Sequence, residues 1–223
     1  MALNPDPPDH PEPWPLAAVV LRTPRLELRP DDDAGLRELV GLAYGGVHSP
    51  EEMPFVHPWT DADPRYLGRG VMQYFWRERA SLDPARWSLN LLVRQRGAVI
   101  GMQGLRATSF AVLREVDSGS WLGLPHQGRG VGTEMRAAML GLVFDHLGAA
   151  SARSAAFADN HASLAVSRRL GYREDGHRMH ERRGRPARMV RLLLTRDRWD
   201  THRPDWTLEV DGLTDDCRSL FGA

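Results

Sequence analysis

Trp121-Leu122-Gly123-Leu124-Pro125-His126-Gln127-Gly128-Arg129-Gly130-Val131-Gly132-Thr133 is the run whose reading decides the fold of this chain. Its first residues continue a strand-like segment that starts at Glu115, and its last residues open a helix. Between them lies a glycine-rich turn. Such a turn leaves several backbone N–H groups unpaired at a helix N-terminus, where the helix dipole adds partial positive charge. That combination binds anions and suits a pyrophosphate. The residues without side chains let the main chain close around phosphate oxygens. Gln127, Gly128, Arg129, Gly130, Val131, Gly132 and Thr133 are therefore the candidate phosphate-binding residues.

Other phosphate-binding designs fit less well. A dinucleotide fold needs G-x-G-x-x-G near the chain start and an acid about twenty residues later at a strand end. Neither is present. A P-loop needs a lysine, and all 29 basic residues here are arginine. The same composition excludes a Schiff-base lysine. Net charge is zero, so composition gives no general argument for nucleic acid. Cys217 is the single cysteine, which rules out an internal disulfide and a cysteine metal cluster. The sequence shows no signal peptide and no apolar run long enough to cross a bilayer. A cytoplasmic protein without membrane contact is the expectation.

Residues 1–15 contain six prolines and several acids, which predicts a disordered arm. The main domain is expected over 16–199, with order beginning near Leu16. A tail over 200–223 could add a strand at Thr207–Val210 or an oligomer contact. Ala17–Leu21 and Arg25–Arg29 predict an interrupted first strand. Asp31–Asp33 can cap a helix over Ala34–Tyr44, where Leu36, Leu39, Val40 and Ala43 recur with helical spacing. Residues 45–66 form a long, partly apolar loop, and Tyr66–Ala80 a helix. Trp87–Val93 and Ala98–Ala107 are strands, as is Glu115–Leu124. Then follow a helix over Gly132–Leu147, a strand over Ala152–Phe157 and a helix over Asn160–Leu170. Gly176–Arg183 and Ala187–Leu194 make a last strand pair. Gly148 and Gly171 mark helix ends.

A second motif, Asn160-x-x-Ser163, continues to Ser167 and Leu170-Gly171-Tyr172. On residue type alone, Asn160 reads equally as a helix N-cap and Tyr172 as core. In the order strand, Gln-x-x-Gly-x-Gly, helix, strand, Asn-x-x-Ser helix, Gly-Tyr, the chain resembles the GNAT superfamily of acyl-CoA-dependent N-acyltransferases. Leu21-Arg22-Thr23-Pro24-Arg25-Leu26-Glu27-Leu28-Arg29-Pro30 resembles the branch with the ribosomal-protein N-terminal acetyltransferases. Val47-His48-x-Pro50, Met53-Pro54-Phe55, Pro58-Trp59-Thr60 and Val116–Leu124 are similar to an actinobacterial subgroup that includes a mycobacterial N-succinyltransferase. Gly132–Ala138 and Ala165–Arg169 extend that likeness, which runs from about Leu21 to Trp199.

The resemblance implies a mixed α/β (α+β) fold. It implies a mostly antiparallel, twisted central sheet of six or seven strands, with the fourth and fifth splayed and helices on both faces. It implies direct transfer of an acetyl or succinyl group from acyl-CoA to a primary amine, with no metal. The donor's pantetheine arm would lie in the splay beside Leu122, Gly123 and Leu124, with Asn160 binding the arm or a water. The Leu124 amide, or a neighbour's, would polarise the thioester carbonyl. Relatives often carry a glutamate base two residues before a glycine in this strand. Here the glycine is Gly119 and the position holds Asp117, shorter and suited to a water relay. Many relatives place a tyrosine acid seven residues after the asparagine, where this chain has Ser167. Ser163 or Ser167 would then offer the leaving sulfur a hydrogen bond.

Met53, Phe55, His57 and Trp59 are candidates to line the acceptor pocket, or simply to pack the loop. His177 and His180 sit three apart in a strand, so they point to opposite faces and make a poor metal pair. A succinyl carboxylate would need room beyond the thioester and a donor such as an arginine or His57. The acceptor is read as a small-molecule or peptide amine, and a homo-oligomer is open. Two other readings stand beside the enzyme. One is a non-catalytic acyl-CoA sensor. The other is acyl transfer linked to aminoacyl-tRNA, for which Arg178, Arg182, Arg183, Arg185 and Arg188 supply a basic hairpin. Such a hairpin equally reads as a solvated strand edge.

Overall fold

The computed structural model describes residues 12–223. Residues 1–11, most of the proline-rich arm, lie outside the described residues. Packing begins ahead of Leu16: Trp14 rests against the core, and Pro15–Ala18 forms a 3-10 turn whose Leu16 is buried. The chain then runs through β1 (Val20–Arg22), β2 (Glu27–Pro30), α1 (Asp33–Tyr44) and α2 (Pro64–Ala80). β3 (Arg86–Gln95), β4 (Ala98–Thr108), α3 (Phe110–Leu113) and β5 (Glu115–Leu122) follow. Next come α4 (Val131–Gly141), β6 (Ser151–Phe157), α5 (His161–Arg169), β7 (Arg173–Arg182) and β8 (Arg185–Thr195). α6 (Arg196–His202), β9 (Glu209–Asp211) and α7 (Asp215–Ser219) complete the described chain.

The strands form one sheet in the order β7-β8-β6-β5-β4-β3-β2-β1-β9. Every pairing is antiparallel except β5 with β6. Nine strands replace the expected six or seven for two reasons. The Thr23–Leu26 turn, closed by Thr23 N–H to the Leu26 carbonyl at 3.0 Å, divides the N-terminal strand in two. The tail adds β9 to the edge of β1, with Leu21 opposite Val210.

The alternation of side chains along a strand sends the two sheet faces into separate cores. Leu89, Leu91 and Val93 of β3 face a large core built on α4. Leu92 faces a smaller one beneath α1 and α2, with Leu36, Leu39, Val71 and Phe75. Each fully buried leucine of this kind stabilises the fold by about 1.5–3 kcal/mol. α1 starts where expected because Asp32 accepts a hydrogen bond from the Gly35 amide at 2.7 Å. Arg79 of α2 bonds Asp31 and Asp33, clamping α2 to the start of α1.

Two boundaries differ from the sequence expectation in ways that matter for the site. β5 ends at Leu122, and Leu124 lies beyond it in a short 3-10 turn, Leu124–His126. The helix expected to Leu147 is α-helical only to Gly141. It widens into a π-turn over Leu142–His146, closed by Leu147 N–H to the Leu142 carbonyl.

Candidate active site

β5 and β6 pair only at one end. Glu115, Val116 and Asp117 lie opposite Ser151, Ala152 and Arg153, and no register continues beyond them. From there β5 stays with β4 through Leu122, while β6 follows β8 through Phe157. A wedge therefore opens between Ser118–Leu122 and the end of β6. The Ser118 hydroxyl donates to the Arg153 carbonyl at its apex, 3.2 Å away. Hydrogen bonding alternates along an antiparallel ladder. Gly123 N–H bonds the Ile100 carbonyl, in the register that sets Leu122 opposite Gly101. The amides of Leu122 and Ser120 consequently face the wedge, while that of Ser118 belongs to the last β5–β6 pairing at its apex. Leu124 does not share this role: its N–H donates to the Gly46 carbonyl at 3.1 Å. Of the two amides expected there, Leu124's or a neighbour's, Leu124's is therefore already taken.

The glycine turn continues from this edge. The Gln127 side-chain amide donates to the carbonyls of Val47 and Leu122, both at 2.8 Å, tying the turn to the strand end and to the long loop. Gly128 and Gly130 take φ values of +73° and +77°, conformations that glycine adopts freely. Gly130 caps α4, and Val131 and Gly132 follow as its first helical residues. Among the described residues, the amides of Gly128, Arg129, Gly130, Val131 and Gly132 find no acceptor. Thr133 N–H returns to the Gly130 carbonyl at 3.2 Å. Five consecutive donors at a helix N-terminus form an anion cradle that fits a pyrophosphate. Glu134, buried in the first turn of α4, accepts from the Thr23 hydroxyl and from the backbone and Nε of Arg25. Arg25 also donates to the Arg129 carbonyl, which places a cation on the cradle's rim.

Across the wedge, a groove of about 2450 Å³ joins the cradle to the long loop between α1 and α2. Met53, Phe55, His57 and Trp59 all line it. Met53 is buried, Phe55 and Trp59 are half-buried, and His57 is exposed. The rings of Phe55, Trp59 and Trp121 pack in series at 5.2 and 5.3 Å, which brings the loop onto β5. His48 fixes the loop from within through Thr60 Oγ1 and the Ser49 carbonyl. The β7–β8 tip closes over the loop: Arg183 pairs with Asp61 and donates to the Pro50 carbonyl. Arg182 pairs with Asp159 and lies over the Phe157 ring. Two of the five hairpin arginines are thus engaged by acids of this chain.

Asp117 lies on the face of β5 that, with Trp121, meets the long loop across the groove. Its side chain is 47% exposed, because it opens on the groove, with Arg106 at 3.5 Å. Burial against the groove walls raises its carboxyl above the ordinary aspartate range, and Arg106 partly opposes this. A carboxylate whose pKa is raised is a stronger base.

Asn160 and Ser163 also line the groove. Asn160 Oδ1 accepts from the Ser163 amide at 3.0 Å, so the asparagine is a helix N-cap. Its side-chain amide donor remains for another partner. Ser167 is fully buried, and its hydroxyl donates to the Ser163 carbonyl at 3.0 Å. Ser163 is therefore the better placed of the two serines to meet a ligand. Tyr172 is core, as its position after the helix end suggested, and burial raises its hydroxyl pKa.

Sequence reasoning missed one group altogether. Arg136 of α4 is 5% exposed, donating to Ser167 Oγ at 2.8 Å and Ser120 Oγ at 3.3 Å. The one signal in the sequence is an arginine inside the apolar stripe Met135, Ala138, Met139 and Leu142. Among the described residues, no group of three or more histidines, cysteines, aspartates or glutamates could hold a metal ion.

The match to known proteins agrees with this geometry. The model of the acetyltransferase (GNAT) domain matches residues 25–173. The chain belongs to this family and is an acyl-CoA-dependent N-acyltransferase. Mycobacterium smegmatis RimJ, solved with CoA-disulfide, superposes with a TM-score of 0.70 at 20% identity, covering 86% of this chain and 99% of that one. A GCN5-related N-acetyltransferase from Brucella melitensis gives 0.65 at 20% identity, covering 82% and 81%. RimL, the ribosomal L7/L12 alpha-N-protein acetyltransferase, solved with coenzyme A, gives 0.64 at 16% identity, covering 78% and 95%. These likenesses establish the fold. No helix among the described residues is long and apolar enough to cross a membrane.

Proposed function

We propose that the protein moves an acetyl or succinyl group from its coenzyme A thioester to the primary amine of a peptide or a small molecule. The observation that carries this is the continuity of free main-chain donors. The amides of residues 128–132 lead onto those of Leu122 and Ser120 along one side of an open wedge. In this reading the cradle holds the pyrophosphate, and the pantetheine arm pairs with β5 and the Asn160 amide. The Leu122 N–H faces the thioester oxygen and stabilises the negative charge that develops there.

The acceptor enters between Trp59, Phe55 and Asp117. Its nitrogen lone pair attacks the thioester carbon as the C–S bond breaks. Asp117 takes the amine proton through a water, and the leaving thiolate accepts a hydrogen bond from Ser163 before protonation. A peptide acceptor is favoured because RimL is described as acting on a protein α-amine. Thiol release with each donor, across peptide N-termini and polyamines, with intact mass of the product, tests the proposal. Turnover confined to acetyl-CoA would reject the succinyl donor, and turnover confined to polyamines would reject the peptide acceptor.

A further inference from the structure

The charges around Asp117 are uneven. Ser88, Arg106 and Asp117 stand directly opposite one another on β3, β4 and β5. Their chain neighbours Leu89, Leu105 and Val116 fill the α4 core, so these three side chains lie on the opposite face, toward the groove. Arg106 holds Asp117 loosely, at 3.5 Å, and its side chain is 65% exposed. Arg178 approaches from β7, across the groove. Its Nη2 touches only Met189 Sδ, at 3.7 Å, and among the described residues it enters no ion pair. The charges that act on the Asp117 carboxyl are these two arginines and Glu115. Glu115 is itself engaged by Arg153 and the Ser151 hydroxyl. Arg182 and Arg183, on the same hairpin as Arg178, are matched by Asp159 and Asp61. Two guanidiniums therefore attend one carboxylate. Beside them the sheet floor is bare. Gly119 stands opposite Gly104, and a Cβ on Gly119 would meet nothing within 4 Å.

We infer that Arg106 and Arg178 form a carboxylate clamp beside Asp117, and that the acceptor is an amine carrying a carboxylate nearby in the same molecule. The inference rests on the acyltransferase reading of the groove and names its acceptor class. An amine arrives as an ammonium ion, and two cations at the mouth of the site oppose it. A carboxylate on the same molecule reverses that balance and meets planar guanidinium in the geometry each prefers. Its source is the α-carboxylate of a free amino acid or an acidic side chain at the second residue of a peptide. The bare floor at Gly119 leaves room for the chain between the two groups. By taking Arg106, the carboxylate releases Asp117 from its ion pair to receive the amine proton. Polyamines, which carry positive charge alone, are disfavoured by the same two arginines.

A competition assay tests this. The protein is given acetyl-CoA, then succinyl-CoA, with a mixture of free amino acids, their amides, tripeptide amides randomised at each position, and spermidine. Products are read by mass. Amines with a carboxylate are expected to exceed their amide counterparts about 10-fold or more in kcat/KM, the range of a charge-assisted bond. Free amino acids outrunning their amides identifies the α-carboxylate as the source. Asp and Glu outrunning Asn and Gln at the second residue identifies the side chain. R178Q should bring the preference to within about 3-fold of unity, R178K should keep part of it, and R178E should invert it. Donor KM should hold in all three, which separates a clamp from a general loss of structure. Preference for spermidine or for neutral amines overturns the inference and leaves acyl transfer standing. A preference unmoved in R178Q and R178E also overturns it. If no amine is acylated from either donor, the reading of the groove itself fails, and the inference falls with it.

Discussion

The two walls of the groove are built from different materials. The wall we assign to the donor is main chain: the edge of β5 and the amides of residues 128–132. The wall we assign to the acceptor is side chain: Phe55, Trp59 and Trp121 in series, Asp117 beside Arg106, and Arg183 clasping Asp61. A main-chain wall recognises what every coenzyme A thioester shares. A side-chain wall can be rebuilt residue by residue to fit a new amine.

The sharpest break of that comparison is Asp117→Asn. If Asp117 is the base, kcat should fall about 100-fold or more while affinity for the thioester holds. The acidic limb of the kcat/KM profile should disappear with it. The sign for stability is opposite. Burial raises the Asp117 pKa, so its protonated form is favoured by folding. That contribution is present at low pH and lost as pH rises through the raised value. The asparagine variant should therefore melt at or above wild type near neutral pH. An unchanged kcat would remove Asp117 from the chemistry.

Gly130→Val attacks the other wall. A β-branched residue at φ +77° is strained, and its Cβ would meet Arg25 at 3.4 Å. Affinity for CoA should drop about 10-fold or more, at about 1–2 kcal/mol for the left-handed backbone alone. Calorimetry reads this, and unaltered affinity would disprove the cradle. Glu134→Gln removes the charge that holds Arg25 on the rim. It should lower stability by about 1–3 kcal/mol in denaturant unfolding, because the Arg25 Nε loses its carboxylate oxygen while an amide nitrogen takes that oxygen's place. Arg183→Ala should have the smallest effect. It loosens a half-exposed ion pair worth about 0.2–1 kcal/mol, so acceptor KM should rise only a few-fold, with donor KM unchanged.

The same division explains what could be read in advance. The cradle was legible in Gln127–Gly132 because it needs only glycines and a helix start, both local in sequence. The strands of the splay were legible for the same reason. The strand end was read two residues too far: Gly123 still bonds Ile100 of β4, and Leu124 leaves the ladder to bond the Gly46 carbonyl. Arg136 was invisible because its partners lie 16 and 31 residues away on other elements. Gln127 appeared as a phosphate ligand, whereas its side chain fastens two backbone carbonyls, one of them 80 residues distant. α3, α6 and α7 escaped notice because four, seven and five residues are too few to display a helical period.

The family match stops at residue 173, but the folding unit does not. Trp87 gives its indole proton to the Phe221 carbonyl, Phe144 stacks on Trp199, and β9 shields the flank of β1. Trimming a recombinant version to the matched borders would orphan the indole, hollow the interior and bare a strand ready to join its neighbours in insoluble aggregates. The matched region and the cooperative folding unit have different frontiers in this molecule, and only the second tells an experimenter where to cut.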